Sequence, residues 1–169
     1  RPGQVGEMLA QFHALFRELL DSGLVALAAV RGQCLGGGLE LAAFCQRLFA
    51  APDARLGQPE IKLGVFAPLA SVVLPLRVGQ AAADDLLLTG RSVTAGEGLA
   101  LGLVDEVCED PLEAARSWHR THLEGLSAAS LRHAARAARF RLRRAMLDDL
   151  AELERTYLSD LMATHDAPE

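Results

Sequence analysis

One stretch constrains the fold more than any other: "LVALAAVRGQCLGGGLELAAFC", residues 24–45. Its first seven residues form a continuous apolar run, bounded by Gly23 on one side and Arg31-Gly32 on the other. That length and those flanks suit a fully buried strand, and a strand buried on both faces belongs to a parallel sheet. Three glycines follow, then "LELAAFC" reads as a helix starting near Gly37. A buried strand, a glycine turn and an apolar helix in sequence call for an α/β layer.

The surrounding chain fits that layer. Apolar residues from Gln4 to Asp21 recur at three and four, which predicts an amphipathic helix stopped by "DSG". "RLFAA" and "ARLGQ" read as two short strands around the Pro52-Asp53 turn. "PLASVVLPLRVG", 68–79, has a proline where a first helical turn tolerates one and a glycine where a helix stops. "QAAADDLLLTG" predicts a further helix ending at Gly90, with Asp84 and Asp85 as early acids. Thr94 and Glu97 make a capping-box pattern. "LVDEVC" predicts a short strand, and Asp110, Pro111 and Glu113 mark a helix start. From 110 to 163 the pattern is helical throughout, so the division expected is a strand–helix core over 1–108 and a helical, oligomerisation-type subdomain over 109–169. A helix begins almost at once with no earlier element to pack on, as in a chain entered midway through a domain.

Composition excludes several classes. At 169 residues the chain is long enough for one real core. A formal net charge of −5 argues against nucleic acid as a partner, because phosphate neutralisation needs a basic surface. No apolar run approaches the ~18 residues of a membrane span, and the N-terminus lacks the charged start and apolar core of a signal peptide. Three cysteines without metal-like spacing predict reduced thiols and a cytoplasmic setting. His119 and His122 have no carboxylate at ligand spacing, so no metal is expected.

Gly36-Gly37-Gly38 lets backbone approach a ligand and leaves the first N–H groups of the next helix without partners at its positive end. Such a turn holds a phosphate or a developing oxyanion. A tight turn needing small residues for strand–helix packing is the other reading. Glu40 stands in the first turn of an otherwise apolar helix and should point toward the glycines, unless it only stabilises the helix dipole. Glu60 lies twenty residues on in "GQPEIKLG", read as a loop closed by Gly64. Two acids converging on an oxyanion turn suit general acid–base work.

"AAVRGQCLGGGLELAAFC", "LGQPEIKLG", "LLLTGRSVTAGEGLALGLVDEV" and the closing "THDA" together resemble the crotonase, or enoyl-CoA hydratase, superfamily. The resemblance implies a partial crotonase-like α/β fold, the ClpP/crotonase ββα superhelix, with a helical C-terminal subdomain. It implies that the Gly37 N–H binds a thioester oxygen, that Glu40 takes a proton from water, and that protonated Glu60 delivers one to carbon. Gly36, Gly38, Cys34, Phe66 and Pro68 would then line the acyl site. The reaction implied is hydration of a conjugated enoyl- or dienoyl-CoA by a hydro-lyase with no cofactor, since CoA belongs to the substrate. A double-bond isomerase and a non-catalytic assembly module of the same fold are the alternatives. Two departures stand out. Pro68 replaces a family glycine and has no N–H to offer, which fits a pocket for a bulkier, alicyclic acyl group, the kind of substrate that "EIKLGVFAPLASVVLPLRVG" also suggests. The family's first half, with the second oxyanion donor and much of the CoA surface, has no counterpart, so a fragment is expected. Six arginines lie in 131–144; they read as a solvated helical face, or, for Arg139, Arg141, Arg143 and Arg144, as contacts to CoA phosphates, the family assembling as trimers and hexamers.

Overall fold

The computed structural model describes residues 2–161; the "THDA" segment, 164–167, lies outside them. Helix α1, Pro2–Ser22, covers the helix expected over 4–21. Its inward stripe carries Phe16, fully buried, whose ring meets Phe12 and Phe44 edge-on with centroids 4.9 Å from each. His13, also buried, bonds to Glu154 far along the chain.

The apolar run after α1 yields a strand, β1, only over Leu27–Val30. The reason is a side chain: Gln46 Oε1 accepts the Ala26 N–H at 2.8 Å and its Nε2 donates to the Leu24 carbonyl at 3.2 Å, replacing ladder bonds there. Next comes β2, Gln33–Leu35, inside what the sequence presents as a turn. Three residues between glycines are too few for an alternating pattern to be read. Then follow α2, Gly37–Phe44, β3, Arg47–Ala50, and β4, Arg55–Gly57. The two strands flanking Pro52-Asp53 are present, but they do not pair with one another.

Instead β1 pairs parallel with β3, and β2 pairs parallel with β4. Each pass of the chain therefore places one strand in each of two sheets and then turns into a helix. This is a ββα superhelix, the fold expected. The second pass ends in α3, Pro68–Val78, and is followed by α4, Gln80–Thr89. Strand β5, Ser92–Thr94, closes one sheet by pairing antiparallel with β4, and β6, Glu106–Val107, extends the other beside β3. Between them the capping box opens α5, Ala95–Ala100: Thr94 Oγ1 accepts the Glu97 N–H at 3.1 Å and Glu97 Oε2 accepts the Thr94 N–H at 2.8 Å.

Among the described residues the C-terminal third is helical, as expected, and holds α6, Pro111–His122, α7, Ala128–Ala138, α8, Phe140–Asp148, and α9, Leu150–Arg155. A π-helical turn, Thr156–Asp160, continues α9. Asp110 caps α6 by accepting the Glu113 N–H at 3.2 Å. Leu142, Met146 and Leu150 from these helices join the same buried cluster as Leu39 of α2, Leu48 of β3, Leu56 of β4 and Leu69 of α3. At about 1.5–3 kcal/mol for each fully buried large side chain, this shared packing ties the helical tail to the sheets.

Candidate active site

The glycine turn is built by the end of β4. The Gly36 N–H donates to the Gly57 carbonyl at 3.0 Å, continuing the β2–β4 ladder by one rung. The Gly36 carbonyl accepts two bonds, from the Glu40 N–H at 2.9 Å and from Gln58 Nε2 at 3.3 Å. Gly36 has φ 56° and ψ −130°, a conformation side chains rarely adopt, and a Cβ here would lie 2.7 Å from Glu60 Oε1. So Gly36 is glycine for two reasons, backbone strain and the approach of a carboxylate. Gly37 opens α2, which has no side-chain N-cap, so its N–H has no intrahelical acceptor. Around Gly38 a Cβ would meet nothing within 4 Å.

Glu40 sits one turn into α2 and is 7% exposed. Its Oε1 accepts the Ala70 N–H at 2.8 Å. Pro68, buried at the first position of α3, has no N–H, and the N-cap Ala67 has no polar side chain, so this carboxyl satisfies a donor at that helix's positive end. Burial pushes the Glu40 carboxyl up to about 7, the Ala70 bond opposes that, and the neighbouring Glu60 charge adds to it.

Glu60 is not on an open loop, as the sequence suggested. It lies in a 3-10 helix, Pro59–Leu63, started by Pro59 and ended by Gly64 in the left-handed conformation. Short runs without apolar periodicity read as loop, which is why the helix was not legible. Burial also raises the Glu60 carboxyl, while its own backbone N–H lowers it. Its Oε2 is buried without a hydrogen-bond partner, as is Gln58 Oε1. Both side chains line a cleft of about 190 Å³ together with Phe66, Ala67, Ser71 and Leu87.

The remaining expected residues are dispersed. Phe66 reaches the cleft and meets the Tyr157 ring edge-on, centroids 5.4 Å apart. Cys34 lies in β2 within the core, its thiol pushed up to about 11 by burial. Arg139 stands at the far end of α2: it donates to the Phe44 carbonyl at 2.7 Å and stacks over the Phe44 ring. Arg77 joins it there through the Ala43 and Cys45 carbonyls. Arg143 pairs with Asp21 at 2.9 Å and Arg144 with Asp148 at 3.3 Å, both exposed pairs, and Arg141 is exposed. Among the described residues no three His, Cys, Asp or Glu side chains are grouped as a metal ion would require, and none of their helices is long and apolar enough to cross a membrane.

Three participants were not anticipated: Ala70, through its N–H, Gln58, and Tyr157. Tyr157 is the single tyrosine of the chain; burial and the Glu60 charge raise its hydroxyl pKa. Nothing in local sequence marks it, because it comes to Glu60 from the other end of the fold.

A ββα superhelix of this kind is the crotonase fold. Residues 2–169 match the enoyl-CoA hydratase/isomerase family, and the chain belongs to that family. The cyclohexa-1,5-dienecarbonyl-CoA hydratase of Thauera aromatica is 55% identical over 168 residues, 99% of this chain and 65% of that protein. The peroxisomal fatty acid beta-oxidation multifunctional protein AIM1 of Arabidopsis thaliana is 44% identical over 108 residues, 62% of this chain and 15% of that protein. An enoyl-CoA hydratase from Mycobacterium avium matches in three dimensions with a TM-score of 0.88 over 98% of this chain and 65% of that one, at 24% identity, a likeness of fold. The chain thus spans slightly less than two thirds of the length of its full-span relatives.

Proposed function

We propose that this chain carries the acid–base site of a hydro-lyase that adds water to a conjugated enoyl- or dienoyl-CoA, with cyclohexa-1,5-diene-1-carbonyl-CoA as the preferred substrate. The observation that carries the reading is a buried carboxyl, Glu40, that feels the charge of a half-buried one, Glu60, whose Oε1 reaches Gly36 beside a Gly37 N–H with no intrahelical acceptor. Glu40 takes a proton from water as the water oxygen bonds to the far carbon of the conjugated system. The π electrons move to the thioester oxygen, where the Gly37 N–H holds the developing charge; such a donor is worth roughly 3–4 kcal/mol. Glu60 then gives its proton to carbon as the enolate collapses. The pair ends with the proton on Glu40, the carboxyl with the larger upward shift, and transfer through a bridging water must carry it to Glu60 before the next addition.

The 55% identity to the Thauera aromatica hydratase supports the choice of a cyclic dienoyl group, as does Pro68 in place of a family glycine. CoA phosphates have Arg141 available as an exposed partner, whereas Arg139, Arg143 and Arg144 are engaged within the fold. A trimer or a dimer of trimers is the assembly proposed. In the full-length protein, turnover in isotopically labelled water tests the reading: oxygen incorporated into product supports hydration, and double-bond migration without it would make the protein an isomerase.

A further inference from the structure

The peptide that joins Gly36 to Gly37 has its carbonyl on Gly36 and its N–H on Gly37, so whatever binds that carbonyl also governs the proposed oxyanion donor. Gln58 is 1% exposed and its Nε2 donates to the Gly36 carbonyl at 3.3 Å. The two groups are 22 residues apart in sequence. The orientation of the amide follows from its partner, because a carbonyl oxygen accepts and so must face the nitrogen. Among the described residues that is the one hydrogen bond the Gln58 side chain makes, and its Oε1 is left buried with none.

We propose that Gln58 is a positioning residue for the oxyanion donor: its bond adds to that of the Glu40 N–H, 2.9 Å from the same carbonyl, and the two together fix the plane of the Gly36–Gly37 peptide and polarise it, so that the Gly37 N–H is aimed and strengthened for a thioester oxygen. Two physical arguments carry this. A hydrogen bond accepted at a peptide carbonyl makes the N–H of the same peptide a stronger donor. And burying an amide with one long bond and one orphaned oxygen is unfavourable for stability, so packing does not account for the residue. The pinning is two-sided: the Gly57 carbonyl holds the Gly36 N–H at 3.0 Å while Gln58, the next residue, holds the Gly36 carbonyl. The end of β4 thereby grips one residue of the turn by both its backbone groups.

The proposal rests on the reading of the Gly37 N–H as an oxyanion donor, and the test separates the two. In the full-length protein, Gln58→Met keeps the size of the side chain but removes the N–H; Gln58→Leu, which also has no donor, serves if the Met variant does not fold. The readout is the carbonyl stretching band of a bound enoyl-CoA in difference Raman or infrared spectra, together with kcat, KM and melting temperature. Expected are a band shifted back toward that of free thioester and a kcat lowered roughly three- to tenfold, with KM and melting little changed. A variant band identical to that of the parent protein would overturn the proposal, whatever happened to melting. So would a parent band no different from free thioester. Glu60→Gln, measured alongside, reports on the acid–base reading alone: full turnover in that variant would sink the hydratase mechanism while the band comparison still decided the role of Gln58.

Discussion

Glu40 accepts the backbone N–H of Ala70 at 2.8 Å across thirty residues of chain. In this way a carboxyl on one helix completes the start of the next. Since Pro68 removes one donor and Ala67 contributes no side chain, α3 depends on Glu40 for its first turn, and Glu40 depends on α3 for its orientation.

Replacing Glu40 by glutamine separates stability from activity. The glutamine oxygen still accepts the Ala70 N–H. The carboxyl of Glu40 is raised from 4.5 to about 7, so the folded state holds its proton more tightly than the unfolded state between those values. Its contribution to stability is full below the lower value and falls as pH rises through the upper one, a loss of about 3 kcal/mol at most. Glu40→Gln therefore melts higher than the parent chain at pH 8, with the difference vanishing near pH 4, while hydration slows by roughly 10²–10⁴-fold. Melting curves at the two pH values and a turnover assay check this.

Turnover should follow a bell in pH. The mechanism needs one proton on the pair: with both carboxyls protonated there is no base, and with neither protonated none reaches carbon. Because burial raises both groups and each charge opposes the other, the pair titrates in two steps, the upper near 7. kcat/KM in the full-length enzyme rises as the first proton leaves and falls above about pH 7. A profile still climbing at pH 9 would contradict shared acid–base roles.

The glycines are predicted to be unequal. Gly36→Ala meets both a φ of 56° and Glu60 Oε1 at 2.7 Å. It should lose about 1–3 kcal/mol of stability and nearly all activity. Gly38→Ala meets nothing within 4 Å and lies within α2, so it should be neutral or stabilising by up to about 1 kcal/mol. Chemical denaturation of the two variants gives the comparison.

Much of this was legible in the sequence because it is written in local patterns. The strand, glycine turn and helix around 24–45 and the capping box at Thr94 declare themselves by runs, spacing or turn chemistry, whereas Glu40 and Glu60 stand out as a pair through the family resemblance. What stayed hidden depends on contacts between distant residues. β2 exists because β4 pairs with it, Gln46 shortens β1 from outside, and Glu60 sits on a helix too short to show a period. Gln58 and Tyr157 reach the site only after the chain has closed on itself.

Tyr157 offers a test of substrate choice. Its ring meets Phe66 at the edge of the cleft and its hydroxyl feels the Glu60 charge. Tyr157→Ala should widen the acyl site, lowering kcat/KM for a cyclic dienoyl-CoA roughly tenfold relative to a longer straight-chain enoyl-CoA. Tyr157→Phe, which keeps the ring, should retain the parent preference. Competition between the two thioesters in one reaction measures the ratio directly.

Strand β2 lies against β4 with Cys34 opposite Leu56 and Leu35 opposite Gly57. Gly36 follows the first strand by one residue and Glu60 follows the second by three, so the alignment of two short strands acts as the ruler that sets how far the acid stands from the turn. A slip of one residue would shift that spacing by about 3.3 Å and throw the buried Leu56 to the opposite face. Side chains around the cleft are therefore free to vary, and with them the chemistry, while the measure itself is kept by main-chain pairing that no single substitution there rewrites.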